Sequence, residues 1–396
     1  MKQVAVDDDT AILPQDIITN ILKRLPVKSL IRFRCVCKNW KNLFKTASFI
    51  ADHLHHTGSQ TSSLLLGGAN PIVPAYLGFV DQKMQVFEAQ SAPLIGSLLG
   101  VNTIGSSHGL VCLQRNEASI FVWNPATREV RQVSVAVNIS ARESFKMGFG
   151  FCPLVNDYKI VRMRVSSNNE RSIRMEESPV CAKLVNQVQL YSLSTRTWNA
   201  IEFGNLDCVY LISNSFPANG AIFWFGFMLN LGQEDENYVQ LIVSFDIAIE
   251  VFTLIPLPTS VPKSLFNRLT VHENNLAMLS HTFSGNYESS LIDLWVMEEG
   301  AGASGERWNW TKKYSVSPYP CILVPWTIWR NEIVCNFVPT WETERERRNN
   351  EQNIVMVNLT TNEFKTVAIP RKRNGYVIFN YVESLVPVGN NHIEEL

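Results

Sequence analysis

A chain of 396 residues, 46% apolar and 18% charged, can bury a sizeable core and has room for one small and one large domain. Its formal net charge of −1 and pI near 6.7 leave no global field to draw it to nucleic acid or an anionic membrane. The longest apolar run, around Ala221–Leu231, is too short to cross a bilayer as a helix, and the opening MKQVAVDDDT lacks the apolar centre of a secretory signal.

Residues 1–11 read as an acidic tail, and the stretch 12–56 as a small helical module. Leu13-Pro14 opens a helix with proline at its first position, where the missing N–H costs nothing. Ile17, Ile18, Ile21, Leu22 and Leu25 then recur at helical spacing, and Pro26 ends the helix at about Arg24. A second run holds Leu30, Ile31 and Phe33, and a third holds Val36, Cys37, Trp40, Leu43 and Phe44. Three or four short helices cannot cover so many apolar side chains unaided, so a protein partner is expected. Lys23, Arg24, Lys28, Arg32, Arg34, Lys38, Lys41 and Lys45 make the module locally basic, which suits an acidic partner.

The polar run 57–63 reads as a linker. Beyond it the texture changes to short runs rich in Val, Ile and aromatic residues, bounded by Gly, Asn, Pro and Ser: GLVCL, SIFVW, YKIVRM, VQLYSL, AIFWFGF, LIVSFDI and LIDLWVM. A turn motif repeats among them. Trp123–Val130, Tyr191–Trp198, Phe245–Phe252 and Val357–Phe364 each place a polar turn between two large residues. A stretched fifth copy is expected to set Trp295 against Trp308 or Trp310. The spacing suits four-stranded propeller blades over 104–133, 145–203, 216–258, 268–316 and 325–369. The remaining pieces, 63–90 and Val377–Val388, are expected to share a last blade, giving six, or seven if inserts hide strands. The fold class is therefore mainly β with a small α N-terminal domain, the propeller spanning 64–389 and a tail following at 390–396.

LPQDIITNILKRLPVKSLIRFRCVCKNW resembles an F-box of the kind that opens large plant protein families. The resemblance implies a three-helix module that docks on a small Skp-type linker protein and, through it, on a cullin. The linker-facing residues it implies are drawn from Leu13, Pro14, Ile17, Ile18, Ile21, Leu22, Leu25, Pro26, Val27, Leu30 and Phe33, with Trp40 locking the helices together. WNPATREV, GFGFCPLVNDYKIVRM, VQLYSLSTRTW, NGAIFW and IVSFDIAIEVF are similar to blocks of the F-box-associated, kelch-like domain, nearest to the S-locus F-box group. That group includes receptors for stylar ribonucleases in self-incompatibility. The implied function is target recognition for an SCF-type ubiquitin ligase in the cytoplasm or nucleus. The rivals are a propeller enzyme or glycan-binding protein with an appended F-box, and an F-box scaffold that directs no degradation.

Chemistry-bearing patterns are sparse, and neither a catalytic set, a cofactor nor a metal is expected. His53, His55 and His56 offer no third ligand beside a facing pair and read as a solvated helix end. Cys35 and Cys37 are no chelating pair, and the eight cysteines are expected to be reduced and mostly buried. Gly148-x-Gly150 lacks the strand–turn–helix setting of a phosphate loop, and His108 stands alone beside Ser106 and Ser107. Target specificity is expected in four inserts: 166–183, 230–237, 298–306 and 341–353.

Overall fold

The computed structural model describes residues 13–60, 62–68, 77–81, 83–88, 101–116, 119–135, 143–175, 178–204, 206, 209–212, 214–229, 238–261, 267–283, 290–299, 308–319, 322–338, 351–370 and 376–389. Four helices come first: α1 (Gln15–Lys23), α2 (Val27–Phe33), α3 (Lys38–Leu43) and α4 (Ala47–Gln60). Pro14 and Pro26 are the N-caps of α1 and α2, one residue before the position expected of Pro14. Cys37 caps α3, its Sγ accepting the Trp40 N–H at 3.4 Å.

The expected three-helix module thus gains a fourth helix, and it runs into the segment that reads as a linker. Thr57 is the reason: it is buried, and its hydroxyl donates to the His53 carbonyl one turn back at 2.8 Å. Packing overrides the polar, glycine-containing sequence here. Helix ends at Gln60 and strand begins at Ser63.

Six four-stranded antiparallel blades follow. Blade one holds β1 (Ser63–Gly68), β2 (Leu77–Val80) and β3 (Val86–Glu88), completed from the far end of the chain by β25 (Tyr376–Tyr381). Blade two is β4 (Asn102–Ser107), β5 (Leu110–Asn116), β6 (Ser119–Asn124) and β7 (Glu129–Ser134). Blade three is β8 (Glu143–Cys152), β9 (Asp157–Met175), β10 (Ser178–Ser192) and β11 (Thr197–Ile201). Blade four is β12 (Val209–Leu211), β13 (Phe216–Ala218), β14 (Ala221–Leu229), β15 (Tyr238–Asp246) and β16 (Val251–Pro256), with β12 bridging to β10. Blade five is β17 (Arg268–His272), β18 (Asn275–Phe283), β19 (Ser290–Glu299) and β20 (Trp308–Tyr319). Blade six is β21 (Ile322–Trp329), β22 (Glu332–Val338), β23 (Glu351–Asn358) and β24 (Phe364–Pro370).

The expected closure is present. β25 lies antiparallel to β1, with Ser63 opposite Tyr381 and Gly68 opposite Tyr376, so both ends of the chain build one sheet and an exposed edge is removed from the ring.

The repeated turn has one geometry in four blades. Asn124, Asp246 and Asn358 each accept two successive backbone N–H groups on Oδ1, while in blade three Ser192 Oγ accepts the Thr195 N–H. In every copy the fourth residue on donates back to the first residue's carbonyl at 2.8–2.9 Å and takes positive φ: Arg128, Arg196, Glu250 and Asn362. The large flanking residues pair across the strands, as Tyr191 with Trp198 and Phe245 with Phe252. The stretched copy differs: Trp295 faces Lys312, and Trp310 faces Met297.

The two innermost strands of four blades are joined by two-residue turns with both φ positive, at His108-Gly109, Asn219-Gly220, Glu273-Asn274 and Arg330-Asn331. These turns and the repeated turns share one rim, the turn face. The opposite rim, the loop face, carries the connections between second and third strands and between blades.

Six buried clusters fill the six seams between blades among the described residues. Side-chain bonds stitch the same seams. Tyr158 Oη donates to His108 O at 2.9 Å, Trp224 Nε1 to Met147 O at 3.1 Å, Trp310 Nε1 to Pro256 O at 3.2 Å, and Asn380 Nδ2 to Ile328 O at 3.0 Å. No described helix is long and apolar enough to cross a membrane.

Candidate functional site

Helix α1 carries two apolar stripes. Ile18, Leu22 and Leu25 turn inward, while Leu13, Ile17 and Ile21 turn out and are 50%, 47% and 48% exposed. Spacing of four residues keeps the outer three on one face. Pro14 and Pro26 are exposed as well, and Val36, at 58% exposure, adds an apolar side chain that the sequence reading left out of the docking set.

The remaining residues of that set lie elsewhere. Leu22, Val27 and Leu30 are fully buried with Phe44 and Phe49, so they hold the helices together and do not face solvent. Ile18, Leu25 and Phe33 are half-buried against the same cluster. Trp40 joins it through Phe33 and Phe44, at ring distances of 5.7 and 6.4 Å. His53, expected at a solvated helix end, is instead buried, with Nε2 2.9 Å from the Leu25 carbonyl that ends α1. Burial holds its pKa below the ordinary value despite that bond, and His56 adds a smaller push in the same direction. Cys35 and Cys37 are exposed free thiols, and Cys112, Cys152 and Cys335 are buried ones.

The helical core is completed by the other end of the chain. After β25, residues 382–389 run across the turn face, and Leu385 inserts among Leu22, Val27, Leu30, Phe44 and Phe49. Asn124 fixes this strap, its Nδ2 donating to the carbonyls of Ser384 at 2.9 Å and Val386 at 2.8 Å. Glu129 Oε2 accepts the Val388 N–H at 3.0 Å. Gly109, at φ +83°, lies so close beneath the strap that a Cβ there would collide with Ser384. Glu383 keeps exposed surface, but its carboxyl end reaches the helices and accepts the Val27 N–H at the start of α2. Burial raises its pKa, while that N–H and the Lys28 charge pull the other way. The helical module is therefore seated on the turn face, with the outer stripe of α1 left open.

The loop face points away from it. Strands β9 and β10 continue past β8, whose pairing stops at Ser166, and form a two-stranded arm out to Met175 and Ser178. Insert 166–183 is thus a projecting hairpin. β14, β15, β22 and β23 end at the same rim, flanking inserts 230–237 and 341–353; residues 230–237 and 339–350 lie outside the described set. Of insert 298–306, the part from 300 on is likewise outside it, and β19 ends at the turn face.

His108, which stands alone in the sequence, sits in a tight turn with Nδ1 3.1 Å from Ser107 Oγ and its ring 4.7 Å from that of Phe151. No group of three or more His, Cys, Asp or Glu able to hold a metal occurs among the described residues.

Comparison with known proteins agrees with this division. Residues 11–51 match the F-box domain family, and residues 76–388 match the F-box associated beta propeller domain family. The chain is 27% identical over 327 residues to F-box protein CPR1 of Arabidopsis thaliana, covering 77% of this chain and 73% of that one. It is 26% identical over 316 residues to F-box/WD-40 repeat-containing protein 1 of the same plant, covering 78% and 70%. Among solved structures, the Aleuria aurantia lectin aligns over 80% of this chain and 98% of its own at 12% identity, with a TM-score of 0.33. The helical module seated on a six-bladed ring, together with these matches, shows that the chain belongs to the F-box proteins that carry an F-box-associated β-propeller.

Proposed function

We propose that the chain is the target-recognition subunit of an SCF-type ubiquitin ligase, joined to a Skp-type linker and through it to a cullin. The observation that carries this reading is the outer stripe of α1. Leu13, Ile17 and Ile21 stay half exposed although the inner stripe of the same helix is packed. An apolar face left open on an ordered helix calls for a partner with a complementary groove. A stable interface there would bury on the order of 1,200–2,000 Å² in total.

The target is then met on the loop face, with the β9–β10 arm among its contacts. A linker on the F-box and a target on the opposite rim are held by one stiff body, because Leu385 and Asn124 tie the helices to the ring. The mechanism is proximity: the adaptor raises the effective concentration of target lysines near the ubiquitin carrier and supplies no acid or base.

The double substitution Ile17→Asp with Ile21→Asp tests the docking face. Co-purification with a co-expressed Skp-type linker should be lost while the thermal unfolding of the propeller stays unchanged. Normal co-purification of that variant would sink the assignment.

A further inference from the structure

The innermost strands of the ring enclose a cavity of about 400 Å³. That size is ordinary for a site holding a small molecule. Its wall combines the aromatic rings of Trp326, Phe216 and Phe379 with polar groups including Ser107 and Asn380, and no Asp or Glu lines it. The one side chain in the wall that is charged throughout the physiological range is Arg268.

Arg268 opens β17 on the loop-face side of the channel. Its guanidinium carbon lies 4.9 Å from the centre of the Trp326 ring, and Nη1 donates to the Asn267 carbonyl at 3.0 Å. Burial pushes its pKa down to about 10, which still leaves it a cation at neutral pH. Neighbouring His281 is buried, and burial together with the Arg268 charge pushes it down to about 4, so it adds no positive charge there. The channel therefore presents a fixed cation beside apolar rings. A guanidinium is a planar fork of donors that matches a carboxylate at two points, and holding it against an aromatic ring limits the entropy lost on binding.

We propose that the central channel is a binding site for a carboxylate carried on an apolar body, with Arg268 holding the carboxylate and Trp326, Phe216 and Phe379 covering the body. The carboxylate can belong to a free organic acid or to the end of a protein chain entering from the loop face. The inference does not depend on the ubiquitin-ligase reading, since it concerns the ring alone.

The full chain co-purified with its Skp-type linker, or the full chain alone should that linker fail to bind, is titrated by ligand-observed NMR with phenylacetate and, separately, phenylacetamide. A second pair is N-acetyl-Gly-Gly-Phe as the free acid and as its C-terminal amide. Binding of phenylacetate in the ~1 mM range, with the amide at least about tenfold weaker, supports the site and assigns it to free acids. The same preference shown by the peptide pair supports it and admits a chain end. Arg268→Gln should weaken acid binding by about 10- to 100-fold, and Arg268→Lys should keep part of it. Acids and amides binding alike, neither acid binding, or undiminished acid binding by a folded Arg268→Gln variant would overturn the proposal. Should Arg268→Gln fail to fold, the acid-against-amide comparison in the unaltered chain decides it.

Discussion

The F-box and the propeller bury their apolar side chains by opposite strategies. In the ring, every seam between blades has its own buried cluster, and each blade supplies half of two clusters, so the core is closed by repetition. The F-box has one small cluster, borrows Leu385 from the C-terminal strap to complete it, and leaves the outer stripe of α1 uncovered. The difference shows which module is self-sufficient. A ring that satisfies itself can vary its loops freely, whereas the helices depend on the strap on one side and present an open face on the other.

The contrast can be broken most strongly at Leu385. Leu385→Ala should cost the F-box about 2–5 kcal/mol, the range for emptying a buried leucine site. Two unfolding transitions should then separate in urea, the F-box melting first while the propeller transition holds. A single transition shifted as a whole would show that the two modules share one core.

Asn124→Ala should have a smaller effect, about 1–3 kcal/mol, because two buried carbonyls of the strap lose their donor and the blade-two turn loses its organising oxygen. Hydrogen exchange should quicken in residues 382–388 and in α2, yet stay unchanged in blades four and five.

The smallest effect belongs to pH. His53 is held neutral by burial, so its folded pKa lies below the unfolded value of 6.5 and the unfolded chain takes up more protons as pH falls. Its contribution to F-box stability is therefore complete above pH 6.5 and is lost progressively as pH falls toward the lower folded value. The urea midpoint of the F-box transition, followed on both sides of pH 6.5, should drop on the acid side, and His53→Gln should flatten that slope.

Much of this architecture is legible in the sequence, for local reasons. The Asn, Asp and Ser that open the repeated turns act on residues two and three ahead, so the four-blade repeat is visible without tertiary information. Ring closure by both ends follows from leftover strands at each terminus. What stayed hidden is non-local. Whether Ile17 or Leu22 faces out cannot be read from hydropathy, since both stripes of α1 are apolar and the choice depends on where Leu385 lands. The Asn124–Ser384 bond joins residues 260 apart in sequence. His53 looks like its neighbours His55 and His56, and only the end of α1 over its ring distinguishes it. The tight turns at Glu273-Asn274 and Arg330-Asn331 escape notice because they take positive φ without glycine.

The placement of β25 has a consequence for the order in which the protein comes into being. The strand that closes the ring and the strap that finishes the F-box core are both made last, after every other blade has left the ribosome. Until then β1 has no inner neighbour, and the helices lack a side chain from their interior. Such late, long-range pairing makes folding slow and exposes unfinished edges to chaperones. A message truncated anywhere before Tyr376 would therefore yield neither a closed ring nor a finished F-box, and the nascent chain would be cleared as one faulty unit.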